Sequence, residues 1–444
     1  MNGGLSMVEM KSGYKMTEVG VIPEDWEVKN VSESCLIKAR IGWQGLKKSE
    51  YMSSGDYLLI TGTDFDNGQV NWKSCAYVSK ARYEQDSNIK IRPQDILISK
   101  DGTIGKVAYL GMIPKAGTLN SGIFVIRAND RKIDQVFLSK IFMSFYFEDF
   151  LNRLVAGSTI NHLYQKDFVK FCFPLPNSEE QAAIAAALSD VDSLISALTK
   201  KIEKKKAIKQ GLMQQLLTGK KRLPGYEKNR EPVQTEWGAI PKDWKTLSIG
   251  KCCSIKARIG WQGLKKSEYL SSGEYVLVTG TDFLNGRIDW KSCVYVSKKR
   301  YEQDANIQIV KHDILITKDG TIGKVAFLDD VPCLGTLNSG IFVVRSHSEE
   351  LDQCYLSKIF ESFIFDAFLE SLVAGSTINH LYQKDFVHFN FPVPPTISEQ
   401  TAIANILSDC DSEIAALEEK RDKYKEIKQG MMQQLLTGKI RLIK

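Results

Sequence analysis

The chain is poor in the features that mark a membrane protein, a secreted scaffold or a common enzyme class. No run approaches the ~18–20 consecutive apolar residues that cross a bilayer, and the N-terminus carries no apolar signal core, so a cytoplasmic location is expected. Nine cysteines, an odd number, include no Cys-x-x-Cys pair and no His/Cys zinc spacing. Several sit in apolar segments, such as Cys172 and Cys293, as small hydrophobes suited to a reducing compartment. The five histidines fall at 162, 312, 347, 380 and 388, and only His162 and His380 occupy repeated positions. The phosphate loop is missing, since Gly102-Thr-Ile-Gly105-Lys106 has the wrong spacing; His-Glu-x-x-His, Gly-x-Ser-x-Gly and the dinucleotide fingerprint are missing too. Asp95, Asp101 and Asp167 recur at Asp313, Asp319 and Asp385, but without metal-site spacing they read as turn or cap residues.

What the sequence does have is a repeat. Gly20-Val-Ile-Pro-Glu-Asp-Trp26 returns as Gly238-Ala-Ile-Pro-Lys-Asp-Trp244. Residues 38–51, 100–108, 117–125 and 154–169 return at 256–269, 318–326, 335–343 and 372–387, essentially unchanged. The offset is 218 without a gap from Lys38 to Phe171, at roughly 70% identity. A length of 444 residues suits two to three domains, and here one module is written twice.

Each module ends in a long heptad run. From Ser178 to Gly219, Ile184, Leu188, Val191, Ile195, Leu198, Ile202, Leu212 and Leu216 form a seam broken at Lys205 and Lys209; Thr396 to Gly438 repeats it through Ile403, Leu407, Ile414 and Leu435. Ser178-x-x-Gln181 and Thr396-x-x-Glu399 read as capping boxes, and Gly219 as the left-handed residue past a helix end. Gly211 and Gly430 lie inside the helices at a cost of about 1 kcal/mol against alanine, which points to close backbone approach by another helix. The net charge of +6 is mild, and the six lysines between Lys200 and Lys209 read as a solvated helix face. The predicted fold is mixed α/β: two tandem-repeated domains separated and joined by two long helices that form an antiparallel coiled coil with pseudo-twofold symmetry. The boundaries are 1–177 for the first domain, 178–222 for its helix, 223–237 for a linker, 238–395 for the second domain and 396–444 for the second helix and tail. Strands are expected at 57–61, 89–91, 95–99, 107–110 and 123–127, a hairpin turn at Asp66-Asn67-Gly68, and one helix over 134–154.

Two stretches carry binding chemistry. In the first, Arg40, Trp43, Gln44, Lys47 and Lys48 combine basic, amide and aromatic side chains with glycines; Arg258, Trp261, Gln262, Lys265 and Lys266 are the copies. Arginine can reach guanine, glutamine adenine, and lysine phosphate. In the second, Lys100, Thr103 and Lys106, with Lys318, Thr321 and Lys324, flank a glycine turn that could meet phosphate. The loop from Gly157 to Lys166 is read as docking the domain on the helices, with DNA contact as its alternative. Twin readers on a rigid spacer suit two inverted half-sites of duplex DNA. A scaffold whose twin domains grip a protein or glycan repeat, and a nuclease with dispersed acidic ligands, are the rival classes.

The ordered series of Gly-x-Ile-Pro-x-x-Trp, Lys-Asp-Gly-Thr-Ile-Gly-Lys, Gly-Ser-Thr-Ile-x-x-Leu, Pro-x-Pro followed by Glu-Gln, and Leu-Leu-Thr-Gly-Lys, present twice, resembles the specificity subunit of a type I restriction–modification system over nearly the whole chain. The resemblance implies a non-catalytic subunit whose target recognition domains each read half of a bipartite site. It implies two methyltransferase (modification) subunits as partners, carrying S-adenosylmethionine and methylating adenine. Restriction/translocase subunits would use ATP and Mg2+. The two domains of such proteins commonly differ. Here they are near copies, so inverted, near-identical half-sites are expected, with room for one differing base where Asp66, Gln69, Asn71 and Arg92–Gln94 become Leu284, Arg287, Asp289 and Val310–His312.

Overall fold

The computed structural model describes residues 12–42, 45–155, 162–227, 231–373 and 380–443. The chain divides into two compact units, residues 1–199 with 419–444, and residues 200–418. Each unit therefore joins one domain to the first part of its own long helix and the last part of the other, a partition that the expected boundaries at 177 and 395 do not follow.

In the first unit an antiparallel sheet runs in the order Val107–Tyr109, Ile96–Ser99, Ile123–Ala128, Cys35–Ala39. Alternation turns Ile37, Ile96, Ile98, Phe124 and Ile126 into a core shared with helices Gln135–Phe142 and Phe145–Val155. The opposite face, through Leu97, Ala108, Ile123 and Val125, packs on a smaller sheet of Gly117–Leu119, Tyr57–Ile60 and Ala76–Val78. With both faces covered, the strands read as nearly continuous apolar runs. The second unit repeats this plan with Cys253–Ala257, Ile341–Ser346, Ile314–Thr317 and Val325–Phe327.

Most expected strands are present, and the Asn67-Gly68 turn joins Phe65–Asp66 to Gln69–Val70 with φ of 48° and 78°. Residues 89–91 are not a strand. Arg127 takes the Asn88 and Lys90 carbonyls at 3.2 and 2.9 Å, and a 3-10 turn, Ser87–Ile89, forms instead. The single helix expected over 134–154 is two, because the Ser144 hydroxyl donates to the Ile141 carbonyl (2.7 Å) and accepts from the Tyr146 N–H (3.3 Å), ending one helix and starting the next. The expected linker contains a strand, Pro232–Thr235, paired with Gly238–Pro241.

The long helices are Ser178–Leu216 and Ile397–Leu435, each of 39 residues. Asn177, not Ser178, caps the first, accepting from the Glu180 N–H at 2.9 Å, while Gln181 reaches back into the domain to the Lys132 and Pro176 carbonyls. Thr396 caps the second, accepting from the Glu399 N–H at 3.3 Å. In the second unit the helices run antiparallel: Lys205 pairs with Glu413 at 2.7 Å and Lys209 with Asp411 at 2.5 Å. The lysine run is thus only partly a solvated face, and the breaks in the apolar seam are ion pairs. One 18-residue window of the first helix has a mean hydropathy of 1.4, enough by length and composition alone to cross a membrane. Its Ile184, Ala185 and Leu188 are instead buried in the first unit's core. All nine cysteines are free thiols.

Two joints hold each domain to the helices. Lys140 is 6% exposed and meets Asp192 at 2.7 Å, and Asp192 also holds Lys428 at 2.6 Å. In the second unit Lys358, Asp411 and Lys209 repeat the arrangement, and Glu361, where the first unit has Met143, adds a second carboxylate. Burial pushes the Asp411 pKa up, but Lys358 and Lys209 more than reverse this, leaving it below the ordinary carboxylate value.

The other joint pairs the two strongest repeated motifs. Gly438 (φ +68°) lies so close to the Gly-x-Ile-Pro-x-x-Trp segment that a Cβ would stand 2.6 Å from Pro23 Cδ and 3.2 Å from Trp26. Arg441 then bonds Glu180 and Asp25 and stacks 5.8 Å over Trp26, whose indole donates to Glu180 at 2.9 Å. Gly219, Pro241, Trp244, Arg222, Glu399 and Asp243 repeat the close approach, the ion pairs and the stacking in the second unit, but the buried Trp244 indole N–H finds no hydrogen-bond partner there among the described residues. Gly211 and Gly430 do not serve close helix approach: a Cβ on either would meet open space.

Candidate nucleic-acid interface

The first basic stretch leaves strand Cys35–Ala39 at Arg40, and there the structure corrects the expectation. Arg40 is 2% exposed, with Nε donating to the Leu119 carbonyl (2.9 Å), Nη2 to Thr118 Oγ1 (3.0 Å) and Nη1 to Gln85 Oε1 (3.3 Å). Arg258 repeats these bonds with Leu337, Thr336 and Gln303. Neither guanidinium faces a groove; each buckles the loop to the strand behind it. Gln262 is likewise turned in, 5% exposed, its side-chain oxygen accepting from the Ile259 N–H. Trp43, Gln44 and the Trp261 side chain lie outside the described residues. Lys47 and Lys48, with Lys265 and Lys266, are exposed. Their short turn is fixed by Glu50, which accepts from the Lys47 N–H at 2.8 Å and is gripped by Arg82 at 2.6 Å.

The second stretch is a tight loop closed by Ser99, whose hydroxyl accepts from the Lys106 N–H (2.9 Å) and donates to the Thr103 carbonyl (2.5 Å). Gly105 has φ +81°, a conformation that strains any other residue, and a Cβ there would also displace the end of the Leu151 side chain. Thr103 and Lys106 are exposed, as are Thr321 and Lys324. Lys100 and Lys318 are half-buried, each ammonium 5.2 Å from a phenylalanine ring, Phe124 or Phe342.

The loop from Gly157 to Lys166 was expected to dock on the helices. Residues 156–161 lie outside the described residues, and 162–166 dock on their own domain. His162 bridges Asp101 in ladder fashion, the Leu163 N–H donates to the Lys100 carbonyl at 2.8 Å, and His162 Nδ1 bonds the Asp101 carboxylate. Tyr164, 55% exposed, packs 4.7 Å from the His162 ring, with the Lys166 ammonium 5.6 Å from its own. His380, Asp319, Tyr382 and Lys384 reproduce the arrangement. His162, Tyr164 and Lys166 are not among the candidate residues named from the sequence, although all three recur unchanged in the second copy.

The blocks that the copies share are far apart in sequence yet meet in space. Arg40 reaches residues 118 and 119, Asn120 donates to Tyr51 at 2.6 Å, the Lys100 N–H donates to the Gly122 carbonyl at 2.8 Å, and Asp101 holds His162. The described parts of 38–51, 100–108, 117–125 and 154–169 are therefore packed together, partly as buried strand, and Lys47, Lys48, Thr103, Lys106 and Tyr164 are exposed where they meet solvent. The differences gather elsewhere. Arg92, Gln94, Arg131 and Lys132 line a separate depression, and in the second copy the last two are Glu349 and Glu350. Asp66 and Gln69 differ at an exposed hairpin tip.

Comparison with known proteins agrees with this layout. Residues 23–210 and again 241–429 match the family described as "Type I restriction modification DNA specificity domain". The chain is 27% identical to the type I restriction enzyme MjaVIII specificity subunit of Methanocaldococcus jannaschii, over 95% of this chain and 94% of that one. In structure it is similar to a type I restriction–modification S subunit from M. genitalium (TM-score 0.59, 15% identity, 96% and 99% of the two chains). It is also similar to a chain from a study of complex assembly and conformational transition in a type I system (TM-score 0.50, 18% identity, 94% and 99%).

Proposed function

The chain belongs to the type I restriction–modification DNA specificity family, and on that premise we propose that its two domains read inverted, near-identical halves of one bipartite DNA site. The observation that carries this reading is the identity of the two loop surfaces, assembled in each domain from the same four separate blocks. Lys47, Lys48, Thr103 and Lys106, with Lys265, Lys266, Thr321 and Lys324, would hold phosphates on either side of the bases read. A difference of one base between halves would arise at the hairpin tips, where Asp66 and Gln69 become Leu284 and Arg287.

In this reading the chain has no catalytic step of its own and works in the cytoplasm. The long helices set the unread gap and seat two modification subunits, which bring S-adenosylmethionine; restriction subunits would bring ATP and Mg2+. The open faces at Gly211 and Gly430 support partner seating, because a helix glycine with nothing beside it is otherwise a cost without a return. Methylation mapping of DNA from cells co-expressing the chain with its modification subunit tests the proposal. The expected product is a split motif with matching inverted halves and methyladenine on both strands. Unlike halves would refute the claim that like surfaces read like sequence, and no motif beside an active methyltransferase would refute DNA reading.

A further inference from the structure

We propose that His162 and its copy His380 each read a base edge in the half-site their domain faces, held in position by Asp101 and Asp319; this rests on the DNA-reading function above. The argument begins with how rigidly the imidazole is presented. His162 itself forms the ladder bridge to Asp101, with the Leu163 N–H on the Lys100 carbonyl. On its C-terminal side Leu163 is 1% exposed, and the Tyr164 carbonyl accepts the Asp167 and Phe168 N–H groups at 3.1 and 3.0 Å, starting helix Gln165–Phe168. The Asp101 carboxylate takes Nδ1, which fixes the ring plane and leaves Nε2 as the ring atom able to meet a partner.

The surroundings fit nucleic acid. Tyr164 offers an exposed ring edge to a base or sugar, Lys166 lies over that ring, and Thr103 and Lys106 stand exposed on the loop that His162 bridges. A side chain held through its own backbone bridge, its ring nitrogen and its C-terminal neighbours loses little conformational freedom on binding, which favours discrimination over mere attraction. If the Asp–His pair were only a staple for the loop, its removal would loosen the domain without regard to DNA sequence. The twin copies separate the two cases.

The test uses the full chain assembled with its modification subunits, assayed for binding and methylation on the mapped site and on single-base variants of each half. His162→Gln is expected to relax discrimination at one position of one half, by roughly tenfold or more, and to leave the other half unchanged. His380→Gln should do the reverse. Asp101→Ala should relax the same position as His162→Gln, and the double variant should be no worse than His162→Gln alone, as expected when one residue acts through the other. Melting of each variant checks the fold, and Asp101→Asn asks the same question if the glutamine variant fails to fold. Full discrimination in both halves would overturn the proposal. So would uniform weakening across all sequences with a shallower salt dependence, which would assign His162 to phosphate. A wild-type chain without any split motif would instead overturn the DNA-reading function itself.

Discussion

Two glycines eight residues apart in the second unit should respond to alanine with opposite signs. Gly211 is inside the long helix, and a Cβ there meets nothing within 4 Å. Gly211→Ala should therefore recover the helix-propensity cost of about 1 kcal/mol. Gly219 sits at φ +66°, where alanine costs roughly 1–2 kcal/mol. Its Cβ would also fall 2.5 and 2.6 Å from Pro241 Cδ and Cγ, on a ring that cannot swing away, adding about 1–3 kcal/mol of overpacking. For a unit of this size 1 kcal/mol moves the melting temperature by about 2–4 °C. Gly211→Ala should thus raise the melting temperature by about 2–4 °C, and Gly219→Ala should lower it by on the order of 10 °C. Calorimetry of the isolated chain reads both, provided that transitions of the two units are fitted separately. A destabilising Gly211→Ala, or a neutral Gly219→Ala, would refute the reasoning about what each glycine touches. The same variants bear on assembly: if a modification subunit covers the open face, Gly211→Ala will stabilise the chain and weaken co-purification of that subunit.

Arg40→Gln should cost about 2–3 kcal/mol of stability, because it strips donors from the buried Leu119 carbonyl and Thr118 hydroxyl, and should leave base preference unchanged once binding is corrected for folded fraction; altered preference in a fully folded variant would return Arg40 to the reading surface. Lys106→Ala should weaken binding about equally on all sequences and reduce the slope of log affinity against log salt by about one, so an unchanged slope would remove Lys106 from the phosphate contacts. Asp411→Asn tests the ionic joint through pH. A carboxylate whose folded pKa lies below its ordinary value of 3.8 stabilises above that value, and the contribution is lost as pH falls through the folded pKa. The melting gap between wild type and Asp411→Asn should therefore be widest above about pH 4 and close as the solution is acidified further; a gap that widens in acid would have the wrong sign.

Local patterns were readable where a local cause decides the structure. The Asn67-Gly68 hairpin, the alternating strands and both long helices follow from period and turn chemistry within a few residues. Misreadings occurred where a side chain from elsewhere intervened. Arg127, from some forty residues away, takes the Asn88 and Lys90 carbonyls and leaves 89–91 a single bridge, Lys90 to Thr118, in place of a strand. The helix break has a local cause instead, the serine within Phe-Met-Ser-Phe, where the apolar period runs straight through. In the candidate site the residue types were legible and their orientations were not. Arg40, Lys47 and Lys48 belong to one basic stretch, yet a three-way bond to Thr118, Leu119 and Gln85 turns the first inward and leaves the others outside.

The repeat itself carried more information than any single motif. Gly-x-Ile-Pro-x-x-Trp and Leu-Leu-Thr-Gly-Lys were both visible as twice-written strings, but nothing local says that they touch, because Gly438 and Pro23 lie at opposite ends of the sequence. Their contact explains why both are preserved together: the Leu-Leu-Thr-Gly-Lys that closes one copy's helix belongs to the compact unit of the other copy's domain. A substitution at either end must therefore fit a partner written in the other module. Surface positions such as Arg131 and Lys132 face no such demand and have become Glu349 and Glu350. The loop blocks at 38–51, 100–108 and 154–169 include exposed residues, yet have not drifted. Exposure without drift, in loops that pack together, fits the proposal that both copies face the same kind of half-site in duplex DNA.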